Sequence, residues 1–413
     1  MFSTSLTRLG KLVLALSALA SGLSLFGQSL PLPTDRARVQ IVSIPDAYNP
    51  AGPALKVLRT DANTPLRAST AWIWEKQRQE EDHAYYAKLR ANGLNAIRMV
   101  LFDTWEVEAY DPSPVFIPTD WNAPSYRARQ LARMERAVNY ASAHGMYVVI
   151  NSHNKIPNYN ASYADALWTH VAPYFASRTH VLYEASNEPM SGIGRNGDMD
   201  EPTGALNSAR LQALKTTYNL IRAAAPHTHI MILTPPGIND GAFGTGLGNL
   251  AASFSTLPGF VDWTKTSVAY HLYNNDAAYG AATNAANLRN LHSRYPGWPS
   301  ENAFPPGNFP DAMGLDKWRS SPFGNDLWVN QTCERLGLGW SMWFLNGHTQ
   351  FDNNFPIMMA DAYAKGWNWT HDPLIPAPSA SPAVGNITGP VSLSQNSTTP
   401  GAELPIAGQL PGR

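Results

Sequence analysis

The sequence predicts an α/β protein whose single domain is a closed (β/α)8 barrel of the TIM type. Between residues 66 and 372, apolar runs of strand length alternate with stretches of helical period, as in a parallel sheet covered by helices. Eight such strand runs are present, the number that closes this barrel. An open doubly wound sheet is the alternative, but it needs a glycine-rich first turn, and no such turn follows the first run.

The eight predicted strands are short apolar runs separated by polar or helical stretches. They lie at 71–74, 96–101, 147–152, 181–186, 229–234, 267–272, 298–301 and 338–344. Residues 39–44 form a further apolar run ahead of them. We expect this run to pack as a strand or hairpin on the N-terminal side of the barrel.

Helical periodicity is clearest before the third and the fifth strands. In the first of these segments four apolar residues share one face: Leu131, Met134, Val138 and Ala141. Gly145 follows, where a glycine would end the helix. The second segment shows the same pattern just before Pro226: Leu211, Leu214, Tyr218, Ile221 and Ala225. The tripeptide Ala-Asn-Gly at 91–93 is typical of the end of an earlier helix.

Several motifs for bound groups are missing or incomplete. The glycines at 244, 246 and 248 lack the third glycine of a dinucleotide fingerprint at its proper offset, so we expect a flexible loop there. Cys333 is the only cysteine, which excludes an intrachain disulfide and a cysteine-rich zinc module. The sequence contains neither an HExxH motif nor a phosphate-binding loop. We therefore expect no metal and no cofactor.

The composition excludes a strongly charged partner. The chain has 30 Lys and Arg against 31 Asp and Glu, and charged residues make up only 15% of it. A formal net charge of -1 offers no basic surface for a nucleic acid, so we expect no such partner. We expect the protein to be a monomer.

Both ends of the chain differ from the barrel segment. Residues 1–27 carry Arg8 and Lys11 before an apolar run at 12–20, the pattern of a signal peptide cleaved after Ala20 or near Gly27. Residues 28–65 are expected to form the N-terminal extension, and residues 66–372 the barrel. Residues 373–413 contain eight prolines and no aromatic residue, which predicts a disordered tail. We expect a secreted protein, extracellular or periplasmic, without a membrane span after leader removal.

Polar side chains collect at the ends of the predicted strands. In such a barrel the loops after the strand C-termini carry the chemistry. The residues in question lie in or just after the second, third, fourth, sixth, seventh and eighth strands: Arg98, His153, Asn187, Glu188, His271, Tyr273, Glu301 and Trp343. Buried polar groups are costly unless they are paired or used, so this distribution indicates a site at that end of the barrel.

The motifs around these positions resemble the family 5 glycoside hydrolases. The run Val-Leu-Tyr-Glu-Ala-Ser-Asn-Glu-Pro at 181–189 carries the resemblance together with Asn-Ala-Ile-Arg-Met at 95–99, His-Leu-Tyr at 271–273, Pro-Ser-Glu-Asn at 299–302 and Gly-Trp-Ser-Met-Trp-Phe at 339–344. It covers about residues 66–370. The family includes cellulases and mannanases, which are (β/α)8 barrels with two glutamates on the fourth and seventh strands.

The resemblance implies roles for individual residues. Glu188 would be the general acid and base, Glu301 the nucleophile, and Asn187 a hydrogen-bonding partner of the sugar 2-hydroxyl. The other implied roles concern substrate and nucleophile positioning. Arg98 and Tyr273 would hold Glu301 ionised. His153 and His271 would line the same subsite. Trp343 would form a platform under the sugar.

Glycoside hydrolysis explains why two carboxyl groups are needed. One protonates the leaving oxygen while the other supplies negative charge to an oxocarbenium-like transition state. The family resemblance implies retention, for which the two carboxyl groups are about 5–5.5 Å apart. Strict strand alternation would send Asn187 and Glu188 to opposite faces, so the chain must turn or bulge at that strand end. Glu184, also in this strand, is interpreted as a buried, hydrogen-bonded structural group.

The predicted function is therefore a retaining endo-β-glycosidase that hydrolyses a β-1,4-linked polysaccharide or oligosaccharide, in the manner of a cellulase. Mannan, xyloglucan and mixed-linkage glucan remain alternative substrates, and transglycosylation is an alternative reaction. A catalytically inactive sugar-binding barrel is the non-enzymatic alternative. Both glutamates are retained, which argues against it.

Overall fold

A computed structural model provides the structure of the protein. It describes residues 35–72, 83–102, 106–109, 115–117, 119–153, 160–187, 189, 199–200, 205–206, 208–232, 243–272, 281–302 and 333–342. The predicted leader at 1–27 and the predicted tail at 373–413 lie outside this part of the chain. Among the helices that are described, none has both the length and the apolar character that a membrane span requires.

The main sheet contains ten strands, and eight of them form a closed barrel. Two further strands precede the barrel: β1 (Gln40–Ile44) and β2 (Leu55–Arg59). The barrel strands are β3 (Arg67–Trp72), β4 (Ala96–Phe102), β7 (Tyr147–His153), β8 (Val181–Glu184), β11 (Ile230–Ile232), β12 (Thr266–Leu272), β13 (Gly297–Asn302) and β14 (Trp340–Met342). The other strands form two small antiparallel pairs: β5 (Glu106–Ala109) with β6 (Val115–Ile117), and β9 (Met199–Asp200) with β10 (Ala205–Leu206).

The barrel closes through parallel pairing of its first and last strands. β14 pairs with β3 from Trp340 opposite Arg67, and it also pairs with β13 at Asn302 opposite Met342. All the pairings between neighbouring barrel strands are parallel. The strand C-termini therefore point to one end of the barrel, and this confirms the predicted fold class.

Six described helices connect the strands. They are α1 (His83–Ala91), α2 (Pro124–Ala143), α3 (Ala161–Phe175), α4 (Ser208–Ala224), α5 (Phe243–Thr256) and α6 (Ala281–Arg294). The apolar faces predicted for α2 and α4 are buried. Complete burial of one such aliphatic side chain stabilises the fold by about 1.5–3 kcal/mol.

Glycines end α1 and α2 as the sequence indicates. Gly93 and Gly145 have φ values of 79° and 67°, in the left-handed region that favours glycine. After α2, the amide of Gly145 donates to Ser142 O at 2.9 Å and that of Met146 to Ala141 O at 2.8 Å. This hydrogen-bond pair is a Schellman motif, which satisfies the last carbonyls of the helix.

The interpretation of the glycines at 244–248 as a loop was wrong, because they lie in α5. Four side chains with helical spacing are buried and hold this segment against the barrel: Leu247, Leu250, Ala251 and Phe254. Tertiary burial therefore overrides the low helix propensity of glycine. A Cβ atom on Gly248 would overlap the guanidinium at the end of the Arg294 side chain of α6, so a larger residue there would displace that side chain.

The first barrel strand begins earlier than predicted, at Arg67 rather than at 71. Its first half is polar, so the apolar pattern did not mark it. These polar side chains are nevertheless buried, and two of them are paired: Arg67 binds Glu334, and Thr70 Oγ1 donates to Met342 O at 2.9 Å. Met342 belongs to the neighbouring strand β14, and Glu334 precedes that strand in the chain.

A hairpin of β1 and β2 covers the N-terminal end of the barrel. The two strands are antiparallel from Gln40 opposite Arg59, and β2 joins the barrel where Val57 pairs with Gly297 at the start of β13. Val39 and Ile41 pack against the apolar cluster inside the barrel. A cavity of about 480 Å³ lies between this hairpin and the N-terminal ends of β8, β11 and β12.

Candidate active site

Alternation along the strands creates a polar layer above an apolar one inside the barrel. The apolar layer contains Ala96, Val149, Leu182 and Ala269 from four different strands, and these residues belong to one buried cluster. Because side chains two positions apart share a face, the next residues on that face are polar. They are Arg98, Asn151, Glu184 and His271, each fully buried.

Glu301 reaches the same layer through a strand irregularity. It lies three positions after Trp298, an interior residue, so strict alternation would direct it away from the interior. The β12–β13 register shifts at this point: Tyr270 pairs with Pro299, whereas His271 pairs with Glu301. The extra residue, Ser300, is a β-bulge that reverses the alternation. Glu301 therefore lies beside His271.

Asn187 enters the site because the chain leaves the strand. β8 ends at Glu184, and the amide of Asn187 then donates to Ser152 O of β7 at 2.7 Å. The predicted turn at this strand end is therefore present. It brings the Asn187 side chain, which is only 2% exposed, to the Arg98 guanidinium.

The Arg98 side chain connects three elements of the barrel. Its Nε and Nη2 atoms donate to the two carboxylate oxygens of Glu184 at 2.6 and 3.2 Å. Its Nη1 donates to Glu301 Oε2 at 2.8 Å, and Nη2 also donates to Asn187 Oδ1 at 2.7 Å. A buried guanidinium is strongly destabilising unless it is paired, and these bonds meet that requirement.

The charge of Arg98 is secured by its two carboxylate partners. Complete burial alone would lower the pKa of Arg98, but the adjacent charges of Glu184 and Glu301 and their hydrogen bonds raise it above its ordinary value. Arg98 therefore carries a permanent positive charge next to Glu301. An adjacent positive charge favours the carboxylate form of an acidic side chain.

His153 is neutral in this environment. Burial, and then the charges of Arg98 and His271, keep its pKa well below the usual histidine value. Its Nδ1 lies 3.0 Å from Asn151 Oδ1, and its Nε2 lies 3.5 Å from Asn187 Nδ2. We assign the proton to Nδ1, because Asn151 Oδ1 can only accept while Asn187 Nδ2 can only donate. A neutral ring satisfies both contacts.

His271 approaches the other side of Glu301. Its Nε2 lies 3.6 Å from Glu301 Oε2, the same oxygen that accepts from Arg98. The side chain of Glu301 is 6% exposed, whereas those of Arg98, His271 and Glu184 are 0% exposed. Glu301 is thus the member of this group of four that contacts solvent. Arg98 and His271 approach it from the buried side, and Glu184 binds Arg98.

The structure brings five of the predicted site residues together: Arg98, His153, Asn187, His271 and Glu301. The other three, Glu188, Tyr273 and Trp343, lie outside the described residues. Glu184 is buried and hydrogen-bonded, as interpreted. The sequence reasoning missed Asn151, although it stands two positions before His153 and therefore on the same strand face.

Comparisons with known proteins show the family of the chain. Residues 57–301 match the cellulases of glycosyl hydrolase family 5. A segment of 60 residues is 38% identical to endoglucanase E-5 of Thermobifida fusca, and it covers 14% of this chain and 13% of that protein. The chain thus matches only a small part of that relative's length.

Solved structures are similar in fold. The cellulase Cel5C_n has a TM-score of 0.51 and 14% identity, over 76% of this chain and 84% of that one. The catalytic domain of Thermobifida fusca endoglucanase Cel5A has a TM-score of 0.48 and 19% identity, over 74% and 84% of the two chains. Because the family match spans more than half of the sequence, this chain belongs to glycosyl hydrolase family 5 and is a glycoside hydrolase.

Proposed function

We propose that the protein is a secreted, retaining endo-β-glycosidase that cleaves β-1,4-linked glucan with Glu301 as nucleophile and Glu188 as general acid and base. One observation carries the proposal. A single guanidinium, that of Arg98, binds both Glu301 on β13 and Asn187, the residue bonded to Glu188. Glu301 and the residue that precedes Glu188 in the sequence are thus bound to the same guanidinium.

The surroundings of Glu301 suit a nucleophile. A carboxylate that attacks an anomeric carbon must be ionised and must be held in a fixed orientation. Arg98 donates to its Oε2 at 2.8 Å, and the slight exposure of the side chain, 6%, leaves an approach for the substrate. The buried sides of the carboxylate are thus supported, while one side is open.

Glu188 lies outside the described residues, so its role rests on its place in the chain. Its neighbours Asn187 and Pro189 are both buried at the C-terminal end of β8. Asn187 binds Arg98, and Glu188 follows it directly in the sequence. In a retaining enzyme the two carboxyl groups lie about 5–5.5 Å apart, and we propose this spacing for Glu188 and Glu301.

The proposed reaction has two steps. First, Glu188 gives its proton to the glycosidic oxygen while Glu301 attacks the anomeric carbon, so that the glycosidic bond breaks and an ester to Glu301 forms. Glu188, now ionised, then takes a proton from water as the water oxygen attacks the same carbon. The ester bond breaks, Glu301 leaves as a carboxylate, and the sugar retains its anomeric configuration.

A β-1,4-glucan is the substrate that the comparisons favour. The relative with 38% identity over 60 residues is named an endoglucanase. Mannan, xyloglucan and mixed-linkage glucan are the alternatives, and an acceptor sugar in place of water would give transglycosylation. In residues 1–27, basic residues precede an apolar run and small residues follow it, and this order supports secretion.

The proposal is tested with a panel of soluble β-glucans and mannans, using wild-type protein and the Glu188→Gln and Glu301→Gln variants. We expect turnover of β-1,4-glucan, an initial product with the β configuration by NMR, and a loss of roughly 10³-fold or more in each variant. Glu135→Gln is the matched control, since Glu135 accepts from Tyr174 on the helical layer, outside the barrel.

Full activity of Glu301→Gln would refute the assignment of the nucleophile. An α-configured first product would refute retention. Preference for mannan would replace the glucan by an alternative substrate of the same family.

A further inference from the structure

Glu184 binds Arg98 more extensively than Glu301 does. It accepts two of the hydrogen bonds of the guanidinium, including the shortest at 2.6 Å, whereas Glu301 accepts from Nη1 at 2.8 Å. Both Arg98 and Glu184 have side chains that are 0% exposed. Glu184 therefore does not meet substrate directly, and any effect on the reaction passes through Arg98.

The bidentate contact fixes the orientation of the guanidinium. A guanidinium is a rigid planar fork, so binding its Nε and Nη2 edge to a carboxylate also sets the direction of its remaining nitrogen. That nitrogen, Nη1, points to Glu301 Oε2, and Nη2 additionally reaches Asn187. Loss of one bond to Glu184 would leave the guanidinium between Glu301 and Asn187 but would fix its direction less tightly.

The charge of Glu184 has a second consequence. Arg98 is shared between two carboxylates, so its positive charge acts on Glu301 in the presence of the negative charge of Glu184. Without that negative charge, Arg98 would stabilise the ionised form of Glu301 more strongly. An over-stabilised carboxylate is a weaker nucleophile and a less competent partner for the anomeric carbon.

We propose that Glu184 is a positioning residue for the glycosidase reaction: it holds Arg98 with Nη1 aimed at Glu301, and its charge keeps Glu301 reactive. This inference rests on the proposed role of Glu301 as nucleophile. Among the described residues, the charged or titratable groups of this cluster besides Glu301 come from four strands: Arg98 on β4, His153 on β7, Glu184 on β8 and His271 on β12.

The test compares Glu184→Gln and Glu184→Asp with wild type in kcat, KM and the pH dependence of kcat/KM on a soluble cello-oligosaccharide. Glu184→Gln keeps the shape, removes the charge and has one acceptor oxygen instead of two. We expect kcat to fall by about 10- to 100-fold with a smaller change in KM, since a bond that acts in the transition state is weakened. The acid limb of kcat/KM should move to lower pH, because Glu301 then faces Arg98 alone.

Glu184→Asp keeps the charge at a shorter reach, so it should keep the acid limb near its wild-type position. The matched control is Glu334→Gln, because Glu334 is also a buried bidentate partner of a barrel arginine, Arg67. This control should lower the melting temperature without moving the acid limb. If Glu184→Gln does not fold, the kcat of Glu184→Asp is compared with that of Glu334→Asp, and a reduced kcat is expected only for Glu184→Asp.

An acid limb of Glu184→Gln that is unchanged or moves to higher pH, or a kcat equal to that of Glu334→Gln, would overturn the proposal. The proposed function fails in a different way: in that case Glu301→Gln would retain activity regardless of what Glu184 does. The two failures are therefore distinguishable.

Discussion

Two buried arginine–glutamate pairs occupy the barrel, and they serve different purposes. Arg67 binds Glu334 through Nε at 2.6 Å and Nη2 at 2.8 Å, and Arg98 binds Glu184 through the same two atoms at 2.6 and 3.2 Å. Both arginine side chains are 0% exposed. The local chemistry of the two pairs is thus almost the same.

The difference lies in what else each pair contacts. Glu334 Oε1 also accepts from the indole of Trp340, the first residue of β14, so that pair joins the first and last strands of the barrel. Arg98 instead extends to Glu301 and Asn187 at the strand C-termini. One pair therefore closes the fold, and the other holds a carboxylate that faces solvent.

The largest effect is expected from removing each arginine. Arg98→Met and Arg67→Met each leave a buried carboxylate unpaired, which costs about 3–5 kcal/mol of unfolding free energy. Arg98→Met should also reduce kcat/KM of the folded enzyme by about 10²- to 10³-fold, the typical effect of losing an electrostatic partner in an active site. Denaturant unfolding and steady-state kinetics below the melting transition separate the two effects. Equal kinetic losses in both variants would contradict the division of roles.

Replacing whole pairs sharpens the comparison. Substituting both members of a buried ion pair by apolar residues is often neutral or stabilises a protein by about 1–4 kcal/mol. Arg67→Met combined with Glu334→Leu should therefore recover the stability lost by Arg67→Met, with normal kcat. Arg98→Met combined with Glu184→Leu should recover only part of the stability, because Glu301 still lacks its guanidinium partner, and its kcat should stay low. Chemical denaturation provides the stabilities, and recovered kcat in the second double variant would argue against a role for Arg98.

A smaller effect concerns two buried histidines, His153 in the site and His292 on α6. Burial lowers the pKa of His292 to about 4, and it lowers that of His153 well below its usual value. Below the unfolded pKa of about 6.5 the unfolded chain binds the proton first, so stability falls with pH by up to about 1.4 kcal/mol per unit for each histidine. For His292 this loss runs from about pH 6.5 down to about pH 4 and is absent above pH 7.5.

The hydrogen bonds of His292 allow this pH dependence to be tested. Its Nδ1 donates to Lys56 O at 2.8 Å, and its Nε2 lies 2.8 Å from the Tyr270 hydroxyl, so protonation would cost a buried hydrogen bond. His292→Gln should be less stable at pH 7.5 but should lose stability less steeply between pH 6.5 and 4. Its kcat should be unchanged, whereas His153→Gln should lose activity. An unaltered slope in His292→Gln would show that this histidine is not a source of the pH dependence.

Much of the barrel follows from sequence pattern. The β-strand runs and the faces of α2 and α4 are apolar, and apolar periodicity records burial directly. The first half of β3 and helix α5 do not follow it, for opposite reasons. Arg67 and Thr70 are polar but are paired, while the glycines of α5 are helical because neighbouring side chains are buried. Both depend on tertiary contacts that a local pattern does not contain.

Strand alternation in the sequence likewise locates some of the site residues and not others. Arg98, His153 and His271 stand on the inward face of their strands, so alternation locates them. Glu301 stands on the wrong parity and reaches the site only through the bulge at Ser300. The sequence also could not predict that Arg98 is shared between Glu184 and Glu301, because this contact depends on the separation of β8 and β13 across the barrel. Motif resemblance supplied the position of Glu301 where periodicity did not.

The most direct test of the central claim is covalent labelling of Glu301. An activated 2-deoxy-2-fluoro cellobioside slows release of a glycosyl ester, so a retaining enzyme should accumulate the adduct. Peptide mass spectrometry should locate one fluorosugar on Glu301, and labelling should be slower in Glu184→Gln than in Glu334→Gln. A label on another carboxylate, or no label on an enzyme that hydrolyses cello-oligosaccharides, would contradict the account.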